Sequence, residues 1–314
     1  MPSPRWAAPW RLRWGCLTAL RFLQGLGGAA VMVLPRAVIR DIHTGPTATR
    51  LMAMIMLVVS ISPMLAPMVG SGLIAVADWR VIFGVLAAVA FGGMALSIFA
   101  LPETLPSSRR VPFHIRSLLR DSRRLLTHRN FLGLTLIGAF GMASFFVFIA
   151  GASLVYAQEF GLTPVQFSLA FAVNAIGFFI SSQFAGALGE RFGERHLIGW
   201  AVSGFAAFAV TLLALTLAGV GSLPVIIIAL FLANACLGLV IPTTMMMALD
   251  EQGKVAGLAS SLNGTLQMLA GGVMITAASP FFNGKATAMV AAIALCAVIA
   301  CALTGWLLLG SRSR

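Results

Sequence analysis

Residues 223–249 read LPVIIIALFLANACLGLVIPTTMMMAL, a run without a single charged side chain. As an α-helix rising 1.5 Å per residue it would be about 40 Å long, more than the roughly 30 Å of hydrocarbon in a bilayer. Comparable runs lie at 14–39, 51–77, 80–101, 130–156, 165–189, 196–219, 256–280 and 285–309. The expectation is an all-α, polytopic membrane protein of about nine transmembrane helices. Most connections are very short, as in GVGS at 219–222, so neighbouring helices must run antiparallel.

The bulk composition agrees. Of 314 residues, 59% are hydrophobic and 10% charged, against roughly 25% charged in a soluble domain. One aqueous core could not hide that much apolar surface, so lipid must be the solvent for most of it. The net charge of +12 would suit a nucleic-acid binder, but the charges fall in short clusters between apolar runs. Apart from Tyr156, the aromatics are Phe and Trp inside those runs, with no basic–aromatic interleaving for stacking bases. Nucleic acid is therefore not an expected partner. Cys16, Cys236, Cys296 and Cys301 all lie in apolar segments, without CxxC or Cys/His metal spacing. No metal and no cofactor is expected.

Charge also sets the orientation, because Lys and Arg concentrate in cytoplasmic loops. If the loop at 40–50 faces the cytoplasm, that side holds Arg36, Arg40, Arg50, seven arginines from Arg109 to Arg129, Arg191, Arg195, Lys254, Arg312 and Arg314. The opposite side holds only Arg80 and Lys285. The C-terminus is then cytoplasmic. Within the long basic stretch at 102–129, FHIRSLLRDSRRLL sets Phe113, Leu118, Leu119, Leu125 and Leu126 among arginines, a pattern for an amphipathic helix on a membrane surface. Nine spans would put the N-terminus outside, yet Arg5, Arg11 and Arg13 there would prefer the cytoplasm.

Three segments resemble signature motifs of the major facilitator superfamily. LRFLQGLGGAAVMVLPRAVIRD, with Arg21, Gln24, Gly25 and Gly27, is similar to the fourth-helix motif of its proton-coupled members. SPMLAPMVGSGL, with Pro63, Pro67, Gly70 and Gly72, resembles the fifth-helix antiporter motif, although Ala66 and Ser71 replace glycines of the usual pattern. GALGERFGERH, with Gly186, Glu190, Arg191, Gly193 and Arg195, looks like the second-half copy of the loop between helices two and three. With LPETLP at 101–106 and LDEQGKVAGLASSLNGT at 249–265, the order and spacing resemble the Bcr/CflA family of multidrug efflux transporters from about residue 17 onward.

That resemblance implies twelve spans in two six-helix halves, with the nine here corresponding to helices 4–12. Residues 1–101 would be the remnant of the N-terminal six-helix bundle (helices 4–6). Residues 102–129 would form a cytoplasmic basic amphipathic linker, and 130–314 the C-terminal six-helix bundle (helices 7–12). The implied activity is transport without an enzymatic step: export of drugs or other small amphipathic compounds by proton antiport with alternating access. The implied setting is the bacterial inner (cytoplasmic) membrane, the protein acting as a monomer in antibiotic resistance. Two alternatives stand beside it: an inactive or mis-started fragment of such a transporter, and a facilitator exporting a metabolite such as a sugar or amino acid.

The candidate residues follow from the chemistry of polar groups in lipid. Arg21 lies about 10 Å along its helix, where a cation costs about 2.5–3.5 kcal/mol unless protein or water surrounds it. With Gln24 and Gly25 it is assigned to proton coupling, as the resemblance to the fourth-helix motif implies. Pro63, Pro67, Gly70 and Gly72 would bend the fifth helix and admit a close neighbour. Phe145, Phe146, Tyr156, Asn174 and Asn234 are expected to line a substrate cavity, since aromatics adapt to many shapes and in-span amides need partners. Asn263 and Gln267 carry the same in-span requirement. Glu190, Arg191 and Arg195 read as a cytoplasmic gate clasp. All nine acids, from Asp41 to Glu251, fall at span ends or in loops, so the titrating carboxylate is expected in helices that precede this stretch in the family.

Overall fold

With no water in the hydrocarbon layer, a spanning segment must satisfy its N–H and C=O groups within itself, and the α-helix is the local solution. The computed structural model describes residues 14–42, 45–76, 78, 80–100, 115–250, 252 and 255–309. Its helices are α1 (Trp14–Ile42), α2 (Gly45–Val76), α3 (Arg80–Ala100), α4 (Ile115–Thr127), α5 (Arg129–Gln158), α6 (Pro164–Phe192), α7 (Glu194–Leu217), α8 (Leu223–Asp250), α9 (Ala256–Ala278) and α10 (Ala286–Leu309). Each predicted span coincides with one long helix to within a few residues. Among the described residues six helices, α3, α5, α6, α7, α8 and α10, are long and apolar enough to cross a membrane. Helix α9 carries Ser260, Ser261, Asn263, Thr265 and Gln267, which lower its hydropathy below that of its neighbours. The LPETLP segment, Phe113 and most of the tail arginines lie outside the described residues.

The chain divides into two compact units, Met1–Val59 with Ala88–Val111, and Ser60–Ala87 with Pro112–Arg314. In the first, helix α1 runs unbroken through its internal Pro35. The second holds α4 to α10 with parts of α2 and α3. There α5 packs against α8, α9 and α10, α6 against α8, and α7 against α8 and α10. Helices α5 and α8 are therefore central.

Local chemistry sets the helix ends. Thr163 caps α6 by accepting from the Gln166 N–H at 3.3 Å, while the Gln166 side chain accepts from the Thr163 N–H at 2.9 Å, with Pro164 at the first helical position. Between α6 and α7 the turn is a single residue, Gly193, at φ +84°, a backbone region that costs a side chain dearly. The core is a continuous apolar mass in which Val147, Phe148, Phe205, Leu212, Ile226 and Leu230 are fully buried.

The basic linker forms α4, as its pattern predicts, and it does not stand apart. Leu125 is buried in a cluster with Phe131, Leu134, Ile198 and Ala259, and α4 contacts both α5 and α9. Thus α4 belongs with the second unit.

Candidate functional site

In-span polar side chains need partners, and the fold supplies them by bringing helices together. Asn174 lies about 15 Å into α6 and Asn234 about 17 Å into α8, so both sit near mid-helix. They meet: Asn234 Nδ2 donates to Asn174 Oδ1 at 3.4 Å, and Asn174 Nδ2 donates to the Ala170 carbonyl at 3.0 Å. Both are buried.

Close approach of α6 and α8 makes this possible. A Cβ on Gly238 would overlap the Phe178 carbonyl and the Ser181 hydroxyl, and one on Gly177 would lie 3.0 Å from the Phe231 carbonyl. Just beyond the crossing, Pro242 has no N–H to give to the Gly238 carbonyl. Thr243 and Thr244 bond back to the Leu239 and Val240 carbonyls at 2.7 and 2.8 Å.

Aromatic rings join α5 to α6 beside the amide pair. Tyr156 meets Phe167 edge-on at 6.0 Å, and Phe171 stacks on Phe148 at 5.5 Å. Further along, Phe145 stacks on Phe178 at 6.0 Å. Its neighbour Phe146 turns to another helix and covers Gly271 of α9, where a Cβ would strike the ring. Successive helical residues point about 100° apart, so two adjacent phenylalanines cannot serve one wall.

Tyr156, expected to line a substrate cavity, is fully buried beneath Phe160 and Phe167, and among the described residues its hydroxyl has no hydrogen-bond partner. An orphan buried hydroxyl costs about 1–3 kcal/mol.

A second polar cluster joins α5, α8 and α9. Gln267 Nε2 donates to Asn263 Oδ1 at 3.1 Å, both buried. Gly138 leaves room there: a Cβ on it would lie 2.8 Å from Thr244 Oγ1 and 3.5 Å from Gln267 Nε2. One turn earlier, Thr135 is buried with an unpaired hydroxyl. The two amides are visible in the sequence as in-span polar residues. The threonines are not, because a hydroxyl can bond its own helix and so needs no neighbour.

The motif residues are placed as follows. Arg21 Nη1 donates to Gln24 Oε1 at 3.0 Å, one turn on, with Gly25 beside them. Among the described residues, a Cβ on Gly70 or Gly72 would meet nothing within 4 Å. The side chains of Pro63 and Pro67 lie outside those described. Ser71, standing where the resembled motif has glycine, lies 3.1 Å from Ser168 Oγ of α6. Each of these two hydroxyls also bonds its own helix, to the Met68 and Pro164 carbonyls at 3.0 and 2.9 Å. Glu190 and Arg191 end α6 and Arg195 opens α7; all three are exposed, and among the described residues none forms an ion pair. Arg191 lies over the Phe192 ring at 5.2 Å. An apolar groove of about 490 Å³ runs between α9 and α10, lined by Met274, Phe281, Ala288 and Leu295.

The family model described as Major Facilitator Superfamily matches residues 6–275 and 134–314. The chain is 33% identical over 261 residues to the uncharacterized MFS-type transporter YdgK of Bacillus subtilis (strain 168), covering 82% of this chain and 64% of YdgK. It is 27% identical over 285 residues to the bicyclomycin resistance protein homolog of Haemophilus influenzae, covering 91% and 71%. To the multidrug transporter MdfA of Yersinia pestis it is 29% identical over 154 residues, covering 48% and 37%. The chain thus spans less than two thirds of the length of YdgK.

Proposed function

The chain belongs to the Major Facilitator Superfamily, and we propose that it exports small amphipathic compounds, drugs among them, across the bacterial inner membrane in exchange for protons. The observation that carries this reading is the Asn174–Asn234 pair, two amides buried at mid-helix beside the Phe145, Phe148, Phe171 and Phe178 rings. A site that accepts varied apolar molecules needs adaptable aromatic surface plus a few polar groups to hold one end of the cargo. An amide pair at 3.4 Å is a weak mutual bond that a ligand donor or acceptor can replace at little cost. The names of the Haemophilus and Yersinia relatives support drugs as the cargo class.

In this mechanism α6 moves relative to α5 and α8. Phe145 and Phe146 present the cargo to α6 and α9, and parting of the Tyr156–Phe167 contact wets the Tyr156 hydroxyl. Arg21, held by Gln24 and given room by Gly25, sets the proton affinity of a carboxylate in the N-terminal half. Pro63, Pro67, Gly70 and Gly72 make α2 pliable where it meets the moving helices. Glu190, Arg191 and Arg195 close the cytoplasmic side, where the C-terminus lies. The exchange needs no cofactor, and one copy of the chain carries it out.

The test is dye retention and drug susceptibility in cells lacking their own pumps, with and without an uncoupler. The chain would be expressed as it stands and in a version extended to twelve spans. Export that stops with the uncoupler and falls at least tenfold in Asn234→Leu and Arg21→Gln is expected. Export indifferent to the uncoupler removes the proton step. Export by the extended version alone makes this stretch insufficient. Export by neither removes the drug-efflux reading.

A further inference from the structure

Thirteen residues of helix reach only about 20 Å, too short to cross a bilayer. Yet α4 exposes large apolar side chains. Helical spacing sorts its residues into three stripes. One faces protein: Leu125 is 2% exposed, with Asp121 and Ser122 half-buried alongside. The next is apolar and uncovered, with Ile115 62% and Leu119 64% exposed and Leu126 at 37%. The third is basic: Arg116, Arg120, Arg123 and Arg124 are all exposed. Against these four arginines the helix has one acid, Asp121, which lies 3.5 Å from Arg120 Nε.

The height of this surface is fixed by its attachment. A single residue, His128 in extended conformation, separates α4 from α5, so the helix cannot stand away from the membrane. At the foot of α5, Arg129 Nη2 donates to the Trp306 carbonyl at 3.0 Å and its guanidinium lies 4.2 Å from the Trp306 ring. Trp306 is itself half exposed. A Trp paired with an Arg at the end of two spanning helices marks the headgroup level.

We infer that α4 is an anionic-lipid binding site, in which Arg116, Arg120 and Arg123 hold the headgroup phosphates while Ile115 and Leu119 enter the acyl boundary. A cationic stripe bordering an exposed apolar one matches the two parts of such a lipid, whereas a soluble acidic partner would leave the apolar stripe in water. This site does not depend on the transport reading, because lipid retention is measured without any transport step.

The experiment titrates the purified full chain with phosphatidylglycerol, phosphatidylcholine and inorganic phosphate, counting bound molecules by native mass spectrometry. Phosphatidylglycerol is expected to bind in preference to phosphatidylcholine, and inorganic phosphate not to displace it. At about a fivefold loss per basic residue removed from an anionic surface, Arg116→Gln with Arg120→Gln should weaken binding roughly thirtyfold. Arg116→Lys with Arg120→Lys should retain it. Ile115→Gln with Leu119→Gln should weaken it while leaving the charge intact. The inference is overturned if phosphatidylcholine binds equally well, if inorganic phosphate competes, or if Arg191→Gln with Arg195→Gln, an equal charge loss elsewhere, weakens binding as much.

Discussion

Gly238 is the sharpest point at which to test the packing of α6 against α8. Adding one methyl group there brings a Cβ into overlap with the Phe178 carbonyl and the Ser181 hydroxyl. The hydroxyl could rotate, but only by giving up its bonds to the Gly177 and Phe178 carbonyls at 2.9 and 3.0 Å. The carbonyl is backbone and cannot yield, so the two helices must separate. Overpacking of this kind costs about 1–3 kcal/mol. An Ala in place of Gly within a helix returns up to ~1 kcal/mol, which leaves Gly238→Ala destabilised by about 0–2 kcal/mol once that return is taken in full. Gly272 of α9 is the control, since a Cβ there meets nothing within 4 Å, and Gly272→Ala should gain up to ~1 kcal/mol. In a chain of this size 1 kcal/mol moves the unfolding midpoint by about 2 °C. Thermal unfolding of the two detergent-solubilised variants should therefore place Gly238→Ala about 2–6 °C below Gly272→Ala. Equal midpoints would mean that α6 and α8 are not in contact at Gly238, and the Asn174–Asn234 pairing would fall with that contact.

Three further outcomes are expected. Tyr156→Phe removes the orphan hydroxyl and should raise the midpoint by the equivalent of about 1 kcal/mol; a lower midpoint would show that the hydroxyl has a partner. Asn234→Leu leaves the Asn174 Oδ1 without its donor and should cost about 1–3 kcal/mol, while Asn174→Leu with Asn234→Leu should cost less than the two singles together; strict additivity in that cycle would rule out the pairing. Glu159 accepts from the Ala286 N–H at the start of α10, so Glu159→Ala should lose about 0.5–2 kcal/mol, with Glu159→Gln retaining part of it. Faster hydrogen exchange confined to the first turn of α10 is the signature to look for.

The relation between sequence and structure differs from element to element. The span 223–249 and its counterparts were legible because lipid leaves an apolar segment only the helix, whatever its neighbours do. The amphipathic character of α4 was legible too, since its arginines and leucines recur at helical spacing, although not that Leu125 alone of its leucines would be buried against protein. Facing inside the spans was not legible. Phe145 and Phe146 differ in nothing that hydropathy records, yet one stacks on α6 and the other covers Gly271 of α9. Nor did the sequence single out Gly177 and Gly238, where the tight approach of α6 and α8 lies. That Tyr156 packs under Phe160 and Phe167 was not legible either.

The sequence by itself determined the all-α class, the number and bounds of the long helices, the amphipathic pattern of α4 and the family. Each of these depends on a segment's own length, polarity and motif residues. Only the tertiary structure decided that Asn174 meets Asn234, that the Asn263–Gln267 pair of α9 lies by Thr244 of α8, and which glycines let helices touch. Lipid and protein interior are alike apolar, so an in-span helix carries no polar face to declare which side it will bury. Its rotation is settled by packing alone.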